Sequence, residues 1–176
     1  AMPSKGVKNF NSVQSKVATV LPGPKNFLEN IKQKHLEYPK YYQQTKELFD
    51  RINGLEKELT HGEPKSIIHG DFHPENVVYE KEKKVLTVID YTDCCLANFT
   101  RDLGNFYQQL GYMSKNHLSQ AQIETLQKIF LDSYLAARKI NLSEKDQQLF
   151  EVYKAWTALR SAIYFLTISA FDRPRA

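Results

Sequence analysis

Two apolar, β-branched runs joined by a short charged segment constrain the middle of this chain more than any other feature. Val77–Tyr79 and Val85–Ile89 have the composition of strands, and the charged segment Glu80–Lys84 between them is typical of a hairpin turn. A hairpin places the residue before its first strand next to the residue after its second strand. The sequence therefore predicts that Asn76 and Asp90 lie side by side at the open end of a β-hairpin.

The segment that leads into this hairpin is rich in groups that carry chemistry. Residues 69–76 read His-Gly-Asp-Phe-His-Pro-Glu-Asn and follow a short apolar strand, Ser66–Ile68. Within the segment, Asp71 and Asn76 have the D-x-x-x-x-N spacing of a phosphoryl-transfer catalytic loop. Such a loop needs a carboxylate to orient a hydroxyl and accept its proton, and oxygen ligands for Mg²⁺, which an asparagine amide and an aspartate supply.

Four motifs follow one another between residues 66 and 104, and together they resemble one known family. In this order they are similar to the pattern of the aminoglycoside phosphotransferase/choline kinase family, small-molecule kinases with a protein-kinase-like fold. The chain departs from that pattern after the third motif, where Ala97-Asn98-Phe99 replaces a G-D-P-like turn. The four motifs are His69-Gly70-Asp71, His73-Pro74-Glu75-Asn76, Ile89-Asp90-Tyr91-Thr92-Asp93 and Asp102-Leu103-Gly104.

The resemblance implies a role for five of these residues. Asp71 would be the catalytic base, and Asn76 and Asp90 would be the ligands of Mg²⁺, with ATP as co-substrate. His69 would brace the loop. Asp102, in the first turn of the following helix, would tie the loop to that helix, at a position where a carboxylate also suits the helix dipole.

Two further residues are candidate substrate contacts. His73 is as consistent with a structural loop histidine as with a contact to the acceptor. Asp93 faces either substrate or water. Both therefore remain open from the sequence.

The parts of a nucleotide-binding lobe are missing from the sequence. The seven glycines are too scattered to form a Gly-rich phosphate loop, and no strand with a V-A-I-K-like lysine is visible. We therefore expect residues 24–176 to be a C-terminal kinase lobe, with the nucleotide lobe absent from this chain and supplied in cis. Residues 1–23 are expected to be a lead-in segment, and its first two residues, Ala1-Met2, are typical of a tag-removal scar.

Most of the chain is predicted to be helical. Apolar residues at three- and four-residue spacing predict a confident amphipathic helix over 39–60, and a weaker pattern predicts another over 24–35. After the hairpin, helices are predicted from Thr100 or Arg101 to about Met113, from Ser119 to about Arg138, and from about Glu144 to Ala170. The predicted fold class is mainly α with a small β-hairpin (α+β), divided into helices over 24–65, the catalytic loop and metal-loop hairpin over 66–99, and C-terminal helices over 100–176.

Composition excludes several function classes. No apolar run reaches the roughly 18 residues that a membrane span needs, and no signal-peptide pattern is present, so a cytoplasmic protein is expected. The net charge of +4 is small, and the Lys-rich N-terminal segment lacks the dense basic stripe of a nucleic-acid-binding surface. The adjacent cysteines, Cys94 and Cys95, are predicted to be buried, reduced thiols.

The favoured hypothesis is an ATP- and Mg²⁺-dependent phosphotransferase that acts on a hydroxyl of a small molecule. The acceptor is not readable from the sequence: choline, a sugar, an amino alcohol and a methylthio-sugar all remain open. The alternative is a non-catalytic, kinase-like binding or regulatory module, and a weaker one is surface binding by the basic N-terminal helices. On its own, the lobe is expected to bind nucleotide poorly.

Overall fold

The chain is mostly helical, with two small antiparallel sheets. A computed structural model describes residues 6–7, 39–63 and 65–167, and no helix within these ranges is long and apolar enough to cross a bilayer. In chain order the main elements are α1 (Pro39–Thr60), β1 (Ser66–Ile68), β2 (Val77–Glu80), β3 (Val85–Val88), β4 (Cys95–Ala97), α2 (Thr100–Ser114), α3 (Gln120–Arg138) and α4 (Glu144–Thr167).

Helix α4 packs against α1 through the main hydrophobic cluster. Val152, Trp156 and Leu159 of α4 contact Phe49 and Ile52 of α1, and all five side chains are buried. The rings of Phe49 and Trp156 lie 5.8 Å apart. Burial of side chains of this size stabilises a fold by about 1.5–3 kcal/mol each, so this cluster fixes α4 in place.

Helix α2 packs against both α4 and α3. It approaches α4 closely at Gly104, where an added Cβ would lie 2.8 Å from the Cβ of Tyr153 and 3.0 Å from the carbonyl oxygen of Phe150. On its other contact, Phe106 of α2 stacks on Phe130 of α3 with ring centroids 4.4 Å apart. The beginning of α2 is therefore held rigidly beside the loop that precedes the hairpin.

The predicted hairpin is confirmed. β2 and β3 pair in antiparallel register with Val77 opposite Val88. The pairing extends one step further, because the N–H of Ile89 donates to the carbonyl of Asn76 at 3.0 Å. Asn76 and Asp90 thus lie at the open end of the hairpin, as the sequence predicts.

The second sheet was not predicted. β1 pairs with β4, with Ser66 opposite Ala97 and Ile68 opposite Cys95. The three residues of β4 show no alternation of polar and apolar side chains, so only the long-range pairing makes this segment a strand. Ile68, Cys95 and Ala97 form a small buried cluster behind the catalytic loop.

The predicted helix boundaries agree closely with the structure. The helices predicted over 39–60 and to Arg138 have these bounds, and α2 ends one residue later than predicted. The predicted capping box of α3 is present: Ser119 N–H donates to Gln122 Oε1 at 2.9 Å, and Gln122 N–H donates to Ser119 Oγ at 3.4 Å. The helix predicted over 24–35, the lead-in other than residues 6–7, and the end of the last helix at 168–170 lie outside the described residues.

Three side chains that the helical patterns assign to the interior are exposed instead. Leu48 and Leu55 of α1 are 44% and 39% exposed, and Ile129 of α3 is 57% exposed. The apolar face of α1 is wider than its contact with α4, and α3 packs mainly on α2. Periodicity identifies the inward face of a helix, but the neighbouring elements decide how much of that face is covered.

The two cysteines are free thiols, as predicted, but only one of them is buried. Cys95 lies in β4 and is buried, whereas Cys94 is half-buried, so the prediction for Cys94 is wrong. Burial raises the pKa of the Cys95 thiol to about 11. Cys95 is therefore a neutral, unreactive thiol at physiological pH.

Candidate active site

The catalytic loop turns at Gly70, and no other residue fits there. Gly70 has a φ of +87°, in the left-handed region, and a Cβ at this position would overlap the backbone carbonyl of Asp93. Glycine adopts this conformation without steric cost. The loop is thus pressed against the turn Tyr91–Asp93 that follows the hairpin.

Asp102 holds the start of the loop. Its Oδ2 accepts a hydrogen bond from the N–H of His69 at 2.6 Å, and its Oδ1 accepts one from the N–H of Gly70 at 3.0 Å. Burial raises the pKa of the Asp102 carboxyl above its ordinary value, although both N–H groups favour the ionised form. Since Asp102 lies in the first turn of α2, this side chain links the loop to that helix.

His69 links the loop to the end of the hairpin. The side chain is buried, and its Nε2 lies 2.8 Å from the carbonyl oxygen of Ile89. A carbonyl only accepts, so Nε2 carries the proton in this contact. The imidazole lies against the rings of Tyr91 and Phe72, with centroids 4.9 and 5.7 Å away. This setting suits a structural brace better than a proton carrier.

Asn105 and Thr157 hold the next residue of the loop, and the sequence analysis missed both. Asn105 Nδ2 donates to the carbonyl of Phe72 at 2.7 Å. Thr157 of α4 donates in turn to Asn105 Oδ1 at 3.0 Å, and both polar side chains are buried. Polar residues on the apolar faces of two predicted helices are the signal that could have identified this pair.

Asn76 is the first of the two predicted metal ligands. It is buried at the end of the short 3₁₀ turn Pro74–Asn76, and its Nδ2 donates to the carbonyl of Asp71 at 2.9 Å. Because the amide nitrogen is used in this way, the amide oxygen points in the opposite direction. The same contact fixes the backbone around Asp71.

Asp90 is the second predicted ligand, and its backbone is unusual. It has φ 60° and ψ 66°, a left-handed conformation that is uncommon for residues other than glycine and is often found at functional sites. Its side chain is exposed, and its Oδ1 accepts a hydrogen bond from Thr92 Oγ1 at 2.6 Å. The hydroxyl of Thr92 therefore orients this carboxylate.

The donor set at the open end of the hairpin fits Mg²⁺. An amide oxygen and a carboxylate are hard ligands, and Mg²⁺ sites commonly use one or two protein ligands and complete the shell with water and phosphate oxygens. Within the described ranges, no group of three or more histidine, cysteine, aspartate or glutamate side chains could hold a metal ion. Asn76 and Asp90 are thus suited to a shared site rather than to a closed protein cage.

Asp71, the predicted base, lies between two basic side chains. Arg160 Nη1 donates to its Oδ1 at 3.0 Å, and His73 Nε2 lies 3.5 Å from its Oδ2. Burial alone would raise the pKa of the Asp71 carboxyl, but the hydrogen bond from His73 and the charge and hydrogen bond of Arg160 outweigh it and lower the pKa below its ordinary value. Asp71 is therefore ionised at neutral pH.

The two candidate substrate residues both lie near Asp71. His73 is close to its carboxylate, with its other ring nitrogen 4.0 Å from Glu75. Asp93 is half-buried, and burial, together with the negative charge of Asp71, raises its pKa. The structure thus brings His73 and Asp93 to the surroundings of the base.

Arg160 is the residue of this cluster that the sequence analysis missed. It lies in α4, and its guanidinium reaches Asp71 across 89 positions of the chain. The buried neighbours Trp156, Thr157 and Leu159 show that this part of α4 faces the interior. An arginine at the edge of an apolar helical face was the available signal.

Comparison with known proteins agrees with this arrangement. The model of the phosphotransferase enzyme family (APH) matches residues 21–156. No curated protein and no solved structure matches the chain. The family match covers most of the 176 residues and includes the catalytic loop, the hairpin and most of the packed helices. The chain belongs to the phosphotransferase enzyme family, in agreement with the resemblance carried by its four motifs.

Proposed function

We propose that this chain is the catalytic and acceptor-binding lobe of an ATP- and Mg²⁺-dependent phosphotransferase whose acceptor is a hydroxyl group of a small molecule. The observation that carries the proposal is an ionised carboxylate, Asp71, fixed in a loop whose last residue, Asn76, lies at the open end of a hairpin beside Asp90. Phosphoryl transfer relies on positioning and charge stabilisation rather than on covalent chemistry by the protein. A rigid loop with these groups meets that requirement.

In this proposal Asp71 accepts the hydrogen bond of the acceptor hydroxyl and aims its oxygen at the phosphorus atom. The lowered pKa of Asp71 keeps it ionised, so it orients the hydroxyl in the ground state and takes the proton as the new bond forms. Asn76 and Asp90 would hold Mg²⁺, which neutralises charge on the phosphates. His73 and Asp93 border the space in front of Asp71 and are proposed as acceptor contacts.

The hairpin supports the presence of a second, nucleotide-binding lobe in the complete enzyme. Tyr79 and Leu86, which lie opposite each other on β2 and β3, are 57% and 68% exposed. Exposed apolar side chains in contiguous groups mark surfaces that another part of the protein covers. The chain has no Gly-rich phosphate loop, so we assign the nucleotide phosphates to such a lobe, in cis, and place the free-thiol protein in the cytoplasm. Nucleic acid is not among the proposed partners.

The proposal is tested by phosphoryl transfer from ATP. The natural full-length protein that carries this sequence is assayed with Mg·ATP and a panel of hydroxyl compounds (amino alcohols, sugars and methylthio-sugars), by following both ADP release and the phosphorylated product. Asp71→Asn is the diagnostic variant, because it retains the shape but not the charge. We expect activity in the wild-type protein and a loss of about 10³-fold or more in kcat for the variant.

Two results would contradict the proposal. One is the absence of Mg·ATP-dependent product with every acceptor in the panel. The other is an Asp71→Asn protein that folds and has wild-type activity, which would favour a binding module. For the isolated 176-residue chain we expect weak nucleotide binding and negligible turnover.

A further inference from the structure

We propose that Arg160 is a positioning residue for Asp71: it determines which oxygen of the carboxylate faces the acceptor hydroxyl. This inference rests on the proposed function and goes beyond the family match, which ends at residue 156.

The first argument is that one turn of α4 controls two consecutive residues of the loop. Thr157 and Arg160 are three residues apart and so lie on the same face of the helix. Thr157 reaches the backbone of Phe72 through Asn105, and Arg160 reaches the side chain of Asp71 directly. The helix thus sets both the position of the backbone and the rotation of the carboxylate.

The second argument is that α4 is rigid at this point. Trp156, Thr157 and Leu159 are 4%, 0% and 5% exposed, and Trp156 and Leu159 belong to the main hydrophobic cluster. The backbone of Arg160 therefore cannot shift without disturbing the core. A guanidinium anchored in this way fixes the direction of the bond that it donates.

The third argument concerns the two oxygens of the Asp71 carboxylate. Oδ1 accepts the hydrogen bond from Arg160 Nη1 at 3.0 Å. Oδ2 is 3.5 Å from His73 Nε2, which is longer than an ordinary hydrogen bond. Oδ2 therefore retains the capacity to accept a proton from an incoming hydroxyl, and Arg160 assigns it that role by holding Oδ1.

A purely structural role would explain the pair less well. The side chains of Arg160 and Asp71 remain 20% and 23% exposed, and partly exposed ion pairs contribute little to stability. The contact joins the proposed base, rather than an arbitrary surface acid, to the core helix. Orientation of the base is the function that uses this geometry.

The test compares Arg160→Met, Arg160→Lys and Arg160→Ala in the natural full-length protein, with Lys154→Met as the matched control. Lys154 is on the same helix and pairs with Glu151 away from the catalytic loop. We expect Arg160→Met to lower kcat about a hundredfold with little change in the KM for ATP, since misplacement of a reacting group by about 1 Å costs that much. Arg160→Lys should recover part of the loss, and added guanidinium ion should raise the kcat of Arg160→Ala.

The outcomes separate this inference from the proposed function. An active wild-type protein whose folded Arg160→Met variant has unchanged kcat would overturn the positioning role and leave the phosphotransferase proposal intact. If Arg160→Met is inactive because it unfolds, Arg160→Lys and guanidinium rescue decide, and the absence of recovery in both would overturn the positioning role. A wild-type protein without any Mg·ATP-dependent transfer overturns the proposed function and this inference together.

Discussion

The catalytic loop and the hairpin that follows it are adjacent in sequence but are stabilised in opposite ways. The loop, residues 69–76, is held by buried side chains from distant helices: Asp102 and Asn105 of α2, and Arg160 of α4. The hairpin is held mainly by its own strand pairing, and its apolar side chains are exposed. The described residues alone therefore fix the position of the proposed base, whereas the hairpin retains a surface suited to a further part of the protein.

The largest effect is expected where the loop meets the turn at residues 91–93. Gly70→Ala places a methyl group against the carbonyl of Asp93 and forces a left-handed backbone on alanine, so we expect a loss of about 3–5 kcal/mol in the free energy of unfolding. Gly54→Ala in the exposed interior of α1 is the matched control and should gain up to about 1 kcal/mol. Urea denaturation measures both. Equal effects of the two substitutions would show that the loop is not packed as described.

The next largest effect is expected at the link between the loop and α2. Asp102→Ala leaves the N–H groups of His69 and Gly70 without their acceptor, and we expect it to cost about 2–3 kcal/mol of unfolding free energy. Glu144→Ala removes an exposed acid from the first turn of α4 and should cost less than about 1 kcal/mol. Thermal and urea denaturation distinguish the two. A cost at Asp102 no greater than at Glu144 would contradict the link.

A smaller effect is expected in the pH dependence of stability. The folded state lowers the pKa of Asp71 below its ordinary value of 3.8, so its ionised form stabilises the fold above that pH and the contribution is lost as the pH falls through the lowered pKa. Asp71→Asn has no such contribution to lose. The wild-type protein should therefore lose more stability than the variant between about pH 5 and pH 2. Parallel curves from urea denaturation across this range would exclude a favourable environment for the ionised form.

The smallest effect is expected on the exposed hairpin. Leu86→Ala should change the unfolding free energy of the 176-residue chain by less than about 0.5 kcal/mol, because this side chain is 68% exposed. Leu103→Ala, at a position that is 1% exposed, should cost about 2–5 kcal/mol. Denaturant titration of both variants checks the contrast. A large cost at Leu86 would mean that the hairpin is already covered within this chain.

The local elements could be predicted because their signals are local. The β-branched runs around Glu80–Lys84 gave the hairpin, and the Ser119 capping box gave the start of α3. The D-x-x-x-x-N spacing identified Asp71 and Asn76 as candidates before any contact was known. Their roles in catalysis and metal binding remain predictions, which the experiments above address.

The contacts that support the site could not be predicted in the same way. β4 is a strand only because β1 lies beside it, and Ile129 is exposed only because no further element covers α3. Arg160 and Thr157 reach the loop because α4 packs beside α2, and helical periodicity does not encode which helix faces which loop.

The sequence by itself determined the hairpin, the boundaries of the described helices, the family and the candidate chemical groups, because each depends on residues that are close together in the chain. Only the tertiary structure decided how those groups are held. Helix packing brings Arg160 to Asp71 and Asp102 to the loop backbone. Buried hydrogen bonds between distant segments depend on atomic positions, and these are fixed only when the whole core has assembled.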